Sequence, residues 1–138
     1  MTERHPRGVL DTSAVLRLSH LEDPSVLPAE PLITAVTLAE LSVGPLVART
    51  EAERAARQVQ VQQAEADFDP LPFDAAAARA FAIVASSLRR AGRKTQARAF
   101  DAMIAATALS NGLPLYTCNP ADFAGIEGLT VVALPVGK

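Results

Sequence analysis

Short apolar runs alternate along the chain with longer stretches whose apolar residues recur at helical spacing. The first run, Gly8-Val9-Leu10, reads as a buried strand, and Ala14, Val15 and Leu18 follow it as one face of a helix. Leu32-Ile33 is a second short apolar segment, after which a helix is entered at Thr37 with Leu38, Leu41 and Leu46 among its apolar positions. From Thr50, a plausible cap, to Phe68 the residues favour helix throughout. "DPLPFD" is an extended connection that holds a strand near residues 68 to 71. Asp74 then caps a helix closed by Gly92, and a further helix runs to Asn111-Gly112. "LPLYT" and "LTVVAL" are strands, with a turn and short helix in "NPADFAG" between them. Strands alternating with helices predict an α/β fold with a mostly parallel sheet and helices on both faces.

Composition narrows this picture. A chain of 138 residues, 49% of them hydrophobic, has the size and core material of one domain, with residues 1 to 7 as a short N-terminal tail. No repeat, low-complexity run or linker marks a second domain. No stretch approaches the roughly 18 unbroken apolar residues of a membrane helix, and the polar start "MTERHPRG" lacks the apolar centre of a signal peptide. A cytoplasmic protein is expected. Cys118 is the only cysteine, which precludes an internal disulfide and a cysteine-based zinc cluster. With only His5 and His20, and no Gly-x-Ser-x-Gly elbow, a Ser-His or Cys-His nucleophile has poor support. Phosphate-binding and dinucleotide-binding glycine motifs are missing as well.

Charge is unevenly placed. "LRRAGRKTQAR" carries Arg89, Arg90, Arg93, Lys94 and Arg98 without one acid, in a chain whose formal net charge is −2. Such a run is either a solvated face or a patch that meets phosphates.

The carboxylates carry the chemistry. Asp11 stands where the first strand becomes helix, either as a cap or at a site, because ligands in open α/β sheets collect beyond the carboxyl ends of strands. Glu40, three residues after Thr37, reads as half of a capping box, yet the strand before its helix would deliver it to the same sheet edge as Asp11. Asp101 is followed by Ile104, Ala105 and Ala108 at i+3, i+4 and i+7, which puts a carboxylate on a buried apolar stripe where it needs a positive partner. Asn119 and Asp122 follow the "LPLYT" strand, as cap and surface acid or as members of the site. Acids converging without lysine or arginine between them repel one another, and a divalent cation is the usual resolution. Oxygen ligands favour Mg²⁺ or Mn²⁺ over zinc.

The segments "VLDTSAVL", "TAVTLAEL", "FDAMIAATAL" and "LYTCNPADF" together resemble the PIN domain, specifically the VapC-type toxins of bacterial toxin-antitoxin pairs, in order and spacing across nearly the whole chain. The resemblance implies a three-layer α/β/α fold and a magnesium-dependent endoribonuclease, usually dimeric and silenced by a cognate VapB-type antitoxin. It places the family's first three acids on Asp11, Glu40 and Asp101. The fourth position is Asn119 rather than aspartate, and Asp122 is the candidate to supply the missing charge. Thr12, Ser13 and Thr117 would orient the acids. On this reading Asp11 and Asp101, with Glu40, hold Mg²⁺, an activated water attacks the phosphodiester, and the products carry a 5′-phosphate and a 3′-hydroxyl. The basic run, just before Asp101, would line the approach of the RNA.

Two other readings compete. A haloacid dehalogenase-like phosphatase also starts from an aspartate after a buried strand, but the position two residues on is Ser13, and the only lysines are Lys94 and Lys138. A PIN-like binding module with an impaired pocket draws its support from Asn119. Apolar residues between 36 and 48 offer a groove for an antitoxin's amphipathic segment. Base recognition is not readable, since aromatic residues make up only 4% of the chain.

Overall fold

The computed structural model describes residues 5–94 and 98–135. Among these the order is β1 (Arg7–Leu10), α1 (Thr12–Arg17), β2 (Glu30–Leu32), α2 (Ala35–Val43), α3 (Glu51–Asp67), α4 (Ala75–Arg90), α5 (Ala99–Ser110), β3 (Leu115–Thr117) and β4 (Val131–Ala133). The strands form one sheet in the order β2-β1-β3-β4, and every pairing is parallel. The first strand begins at Arg7, opposite Glu30, and Arg7 Nε donates to Glu30 Oε2 at 3.0 Å across the two strands.

Strand periodicity divides the interior in two. Successive side chains of a strand point to opposite faces, so Val9 and Leu115 enter one core while Leu10 and Tyr116 enter the other. The first core is filled by α4, through Ala80, Val84 and Leu88, and by the small residues of α5. The second takes Ala14 of α1, Leu41 of α2, and Val61 and Ala64 of α3. Three layers result, with the sheet in the middle. The alanines of α5 let it lie close against α4, and Ala105, Ala106 and Ala108 are fully buried.

Several expected boundaries hold. Thr50 Oγ1 accepts from Glu53 N at 3.0 Å and Asp74 Oδ1 from Ala77 N at 2.9 Å, so both cap their helices. Gly92, at φ +77°, closes α4 by the left-handed conformation that lets Arg93 N reach Leu88 O at 2.9 Å.

Other boundaries are corrected. The second helix is entered at Thr34, whose Oγ1 accepts from Thr37 N at 3.2 Å, so Thr37 is an interior residue of α2 and no capping box joins it to Glu40. That helix ends before Gly44-Pro45, because proline brings no N–H to continue it. Leu46 therefore falls in the following 3₁₀ turn, Gly44–Val47, and is 75% exposed instead of lining a helix face. The strand expected near residues 68 to 71 is one parallel bridge, Thr34 to Leu71. Pro70 and Pro72 on either side have no N–H to donate, which confines the pairing to Leu71.

Candidate active site

In the strand order β2-β1-β3-β4 the chain leaves β1 in one direction to build β2 and in the other to build β3. The crevice at the carboxyl ends of β1 and β3 is therefore the switch point at which open parallel sheets bind ligands. Asp11 is the residue after β1, and Thr117 is the last of β3.

Asp11 is both helix cap and site residue. It is 4% exposed. Its Oδ1 accepts from Ala14 N at 2.9 Å and from Ser13 Oγ at 2.7 Å, and its Oδ2 accepts from Thr117 Oγ1 at 2.6 Å. A carboxylate has about four lone-pair positions, so three donors hold Asp11 rigidly and leave room for one further partner. The donors are themselves fixed: Ser13 Oγ accepts from Cys118 N at 3.1 Å, and Thr117 Oγ1 from Asn119 N at 2.9 Å. Asp11 enclosed in this way is poorly disposed to act as the nucleophile of the phosphatase alternative.

Glu40 is half-buried on α2 and is held by a second set of hydroxyls, beginning at Thr12, the residue after Asp11. Thr12 Oγ1 donates to Glu40 Oε1 at 2.6 Å and lies 3.1 Å from Thr37 Oγ1. Thr37, completely buried, is a residue whose part in the site sequence reasoning missed by treating it as a cap. Its signal was the spacing "TLAE", which sets Thr37 one turn before Glu40 on the same helix face.

Asp101 stands in the first turn of α5, with Ile104, Ala105 and Ala108 of its stripe fully buried as expected. Among the described residues its carboxylate has no hydrogen-bond partner. Burial pushes its pKa up to about 6, and the negative charges of Asp122, Asp11 and Glu40 add to the rise, against a smaller opposing pull from Arg98. The other three acids thus lie within electrostatic reach of Asp101.

A cation does stand among them, contrary to the sequence reading. Arg98, just before α5, donates from Nη1 to Asp122 Oδ1 at 2.7 Å, with both side chains about one-third exposed. Arg98 is therefore engaged with an acid instead of projecting freely from the basic run. Arg90 is similarly drawn off to Glu127, at 3.4 Å. Arg89 and Lys94 are exposed, and neither they nor Arg93 forms an ion pair among the described residues. Asn119 is exposed, and its side chain makes no cap on the short helix Pro120–Phe123; only its backbone N–H enters the network.

The donor set suits a hard cation. It is all oxygen, and ionised Asp101 faces three acids with its one nearby cation already committed. Among the described residues no three acidic, histidine or cysteine side chains are spaced to enclose an ion. This arrangement suits Mg²⁺, which is held through one or two carboxylates while keeping several waters, better than an ion needing a full protein cage.

Without metal, the proton on Asp101 has a measurable consequence. Because the folded chain keeps that proton at a pH where the unfolded chain has lost it, this group's contribution to stability is expected to fall as the pH rises from 3.8 to about 6. Urea midpoints of the wild type and Asp101→Asn, compared across that window in chelator, would differ by an amount that grows with pH. Parallel curves would contradict it.

Known proteins share this framework. The sequence matches the PIN domain family over residues 8–128. It is 39% identical to Ribonuclease VapC5 of Mycobacterium tuberculosis over 92% of this chain and 93% of that protein. Ribonuclease VapC4 of the same organism is 35% identical over 74% of this chain and 75% of its own length. The fold superposes with a TM-score of 0.80, at 36% identity, on the crystal structure of VapBC-5 from Mycobacterium tuberculosis, a member of the VapBC family of toxin-antitoxin systems. That match covers 94% of this chain and 99% of the other. With four parallel strands in three layers and acids gathered at the switch point, the chain belongs to the PIN domain family, in its VapC-type group.

Proposed function

We propose that this protein is a divalent-metal-dependent endoribonuclease, the toxin of a toxin-antitoxin pair, with Asp11, Glu40 and Asp101 as its working carboxylates. The observation that carries the reading is Asp101: a half-buried carboxylate without a described hydrogen bond, facing three other acids at the end of a parallel sheet. Such an arrangement costs stability unless a cation completes it. The ribonuclease names of its relatives point the same way.

Asp11, locked by Ser13, Ala14 and Thr117, and Asp101, with its free oxygens, would hold Mg²⁺, or Mn²⁺ in its place. A bound divalent cation supplies a more acidic water and offsets charge on the phosphate. Glu40 is fixed at Oε1 by Thr12, which leaves Oε2 to accept a proton from the attacking water or to orient it. The Arg98–Asp122 pair steadies the entrance to α5, and Asn119 contributes through its backbone.

Total cellular RNA incubated with the purified protein in Mg²⁺, in Mn²⁺ and in chelator tests this reading. Discrete fragments that require metal, end in 5′-phosphate and 3′-hydroxyl, and vanish with Asp101→Ala support it. A folded chain that cleaves nothing under any condition would instead be a binding module.

RNA approach falls to the basic side chains that remain uncommitted. Neutralising Arg89, Arg93 and Lys94 together is expected to flatten the salt dependence of RNA binding by up to about three phosphate contacts. Arg90→Gln alone should have a smaller effect, because Arg90 is shared with Glu127. An unchanged salt slope in the triple variant would return the run to a solvated face.

The partner on this reading is a VapB-type antitoxin. Val43, Leu46 and Val47, exposed at 51%, 75% and 62% around the end of α2, form an apolar surface suited to an amphipathic segment. Self-association as a homodimer and residence in the cytoplasm, where the RNA is, belong to the same proposal. No helix among the described residues is long and apolar enough to cross a membrane.

A further inference from the structure

Aromatic side chains are scarce here, and all but one are wholly or partly buried. Tyr116 and Phe123 are each 2% exposed and belong to the two cores. Phe68, Phe73 and Phe81 are partly buried, with Phe73 and Phe81 packed edge to face, their centroids 6.4 Å apart. Phe100 alone is exposed, at 58%. It occupies the first turn of α5, directly before Asp101 and two residues after Arg98. Adjacent to Asp101 in that turn, it projects about 100° round the helix from the carboxylate. Met103, one turn further on the same side, lines an open apolar hollow of about 250 Å³ with Phe73, Ala78 and Phe81.

Folding does not account for this position. A large apolar ring in the first turn of an otherwise alanine-rich helix adds little to either core, while a polar residue there would be better solvated. Its surroundings favour one kind of occupant. The carboxylates at the switch point require a cation, and Arg89, Arg93 and Lys94 leave positive charge uncommitted on the segment that leads to Phe100. A ligand with anionic links and flat apolar faces complements both, which is the chemistry of an unpaired nucleotide strand.

We propose that Phe100 is a base-stacking platform, on which an unpaired RNA base next to the scissile phosphate lies. The assignment rests on the endoribonuclease reading and adds the contact through which a base is engaged. Stacking is tolerant of base identity, so Phe100 supplies affinity and register, holding the phosphate over the acids.

Binding of a labelled, unstructured RNA of mixed sequence to the full chain in chelator tests the proposal without cleavage. Phe100→Ala is expected to weaken binding roughly 5- to 150-fold, the range for loss of one stacked base, with the salt slope unchanged because no phosphate contact is lost. Phe100→Leu should be nearly as weak, since it keeps apolar area without a ring. The chain contains no tryptophan, so Phe100→Trp creates a single reporter: near wild-type affinity with quenching of its emission on RNA addition is the expected result. Wild-type affinity in Phe100→Leu, or unquenched tryptophan with RNA bound, would overturn stacking. If Phe100→Ala binds RNA normally but has a smaller mass in solution, Phe100 is a contact between copies and the proposal fails. Absence of RNA binding by the wild type both in chelator and in Mg²⁺ would instead remove the endoribonuclease reading itself.

Discussion

Asp101→Asn is expected to lower RNA cleavage by about 10³-fold or more while making the metal-free protein more stable near pH 7.5. Loss of cleavage follows from removing a carboxylate that would hold the cation, where several kcal/mol of charge stabilisation are at stake. The gain in stability follows from the same carboxylate's surroundings. Above pH 6 the native chain must keep Asp101 ionised despite burial and three neighbouring acids. An amide of the same shape removes that cost, on the order of 1 kcal/mol once solvent screening at this half-exposed group is allowed for. For a chain of this length that corresponds to a rise in Tm of roughly 4 °C. Thermal scans in chelator and cleavage assays in Mg²⁺ check the two halves separately. An inactive but destabilised variant would mean that Asp101 is a structural residue.

Asp11 should behave in the opposite way. Asp11→Ala removes the acceptor for Ala14 N, Ser13 Oγ and Thr117 Oγ1 at once, and Thr117 is completely buried. The lost cap and the stranded hydroxyl together are expected to cost on the order of 2–4 kcal/mol. Asp11→Asn keeps an oxygen that can cap α1 and is expected to recover most of that stability, yet remain inactive because the charge is gone. Chemical denaturation of both variants, with cleavage assays beside it, distinguishes cap from ligand. Equal stability in Ala and Asn variants would show that the cap contributes little.

The contrast between these residues reflects how much of the site could be read in advance. Asp11 and Asp101 were legible because local patterns expose them: one ends an apolar strand, the other interrupts a buried helical stripe. The parallel sheet was legible from alternation alone, as were the caps at Thr50 and Asp74. Thr37 was misplaced because "ITAVTLAE" offers two threonines three residues apart, and either pattern satisfies the rules of helix entry. Only the fold selects Thr34, by bridging it to Leu71 just beyond the end of β2. Leu46 was misjudged because the apolar period runs on in sequence past Gly44-Pro45, where the backbone can no longer follow it. Pairing of Arg98 with Asp122 had no local signal at all. The two are separated by 24 positions and by the whole of α5 and β3, so only tertiary structure joins them.

The bond from Thr117 to Asp11 spans 106 positions, and β3, which carries Thr117, lies between β1 and β4 inside the sheet. A growing polypeptide therefore makes Asp11 106 positions before the hydroxyl that fixes it. Until the segment through Asn119 has emerged from the ribosome, Asp11, Glu40 and Asp101 share no finished crevice. On the proposed endoribonuclease reading, a chain that stops short of Thr117 is expected to lack a working crevice.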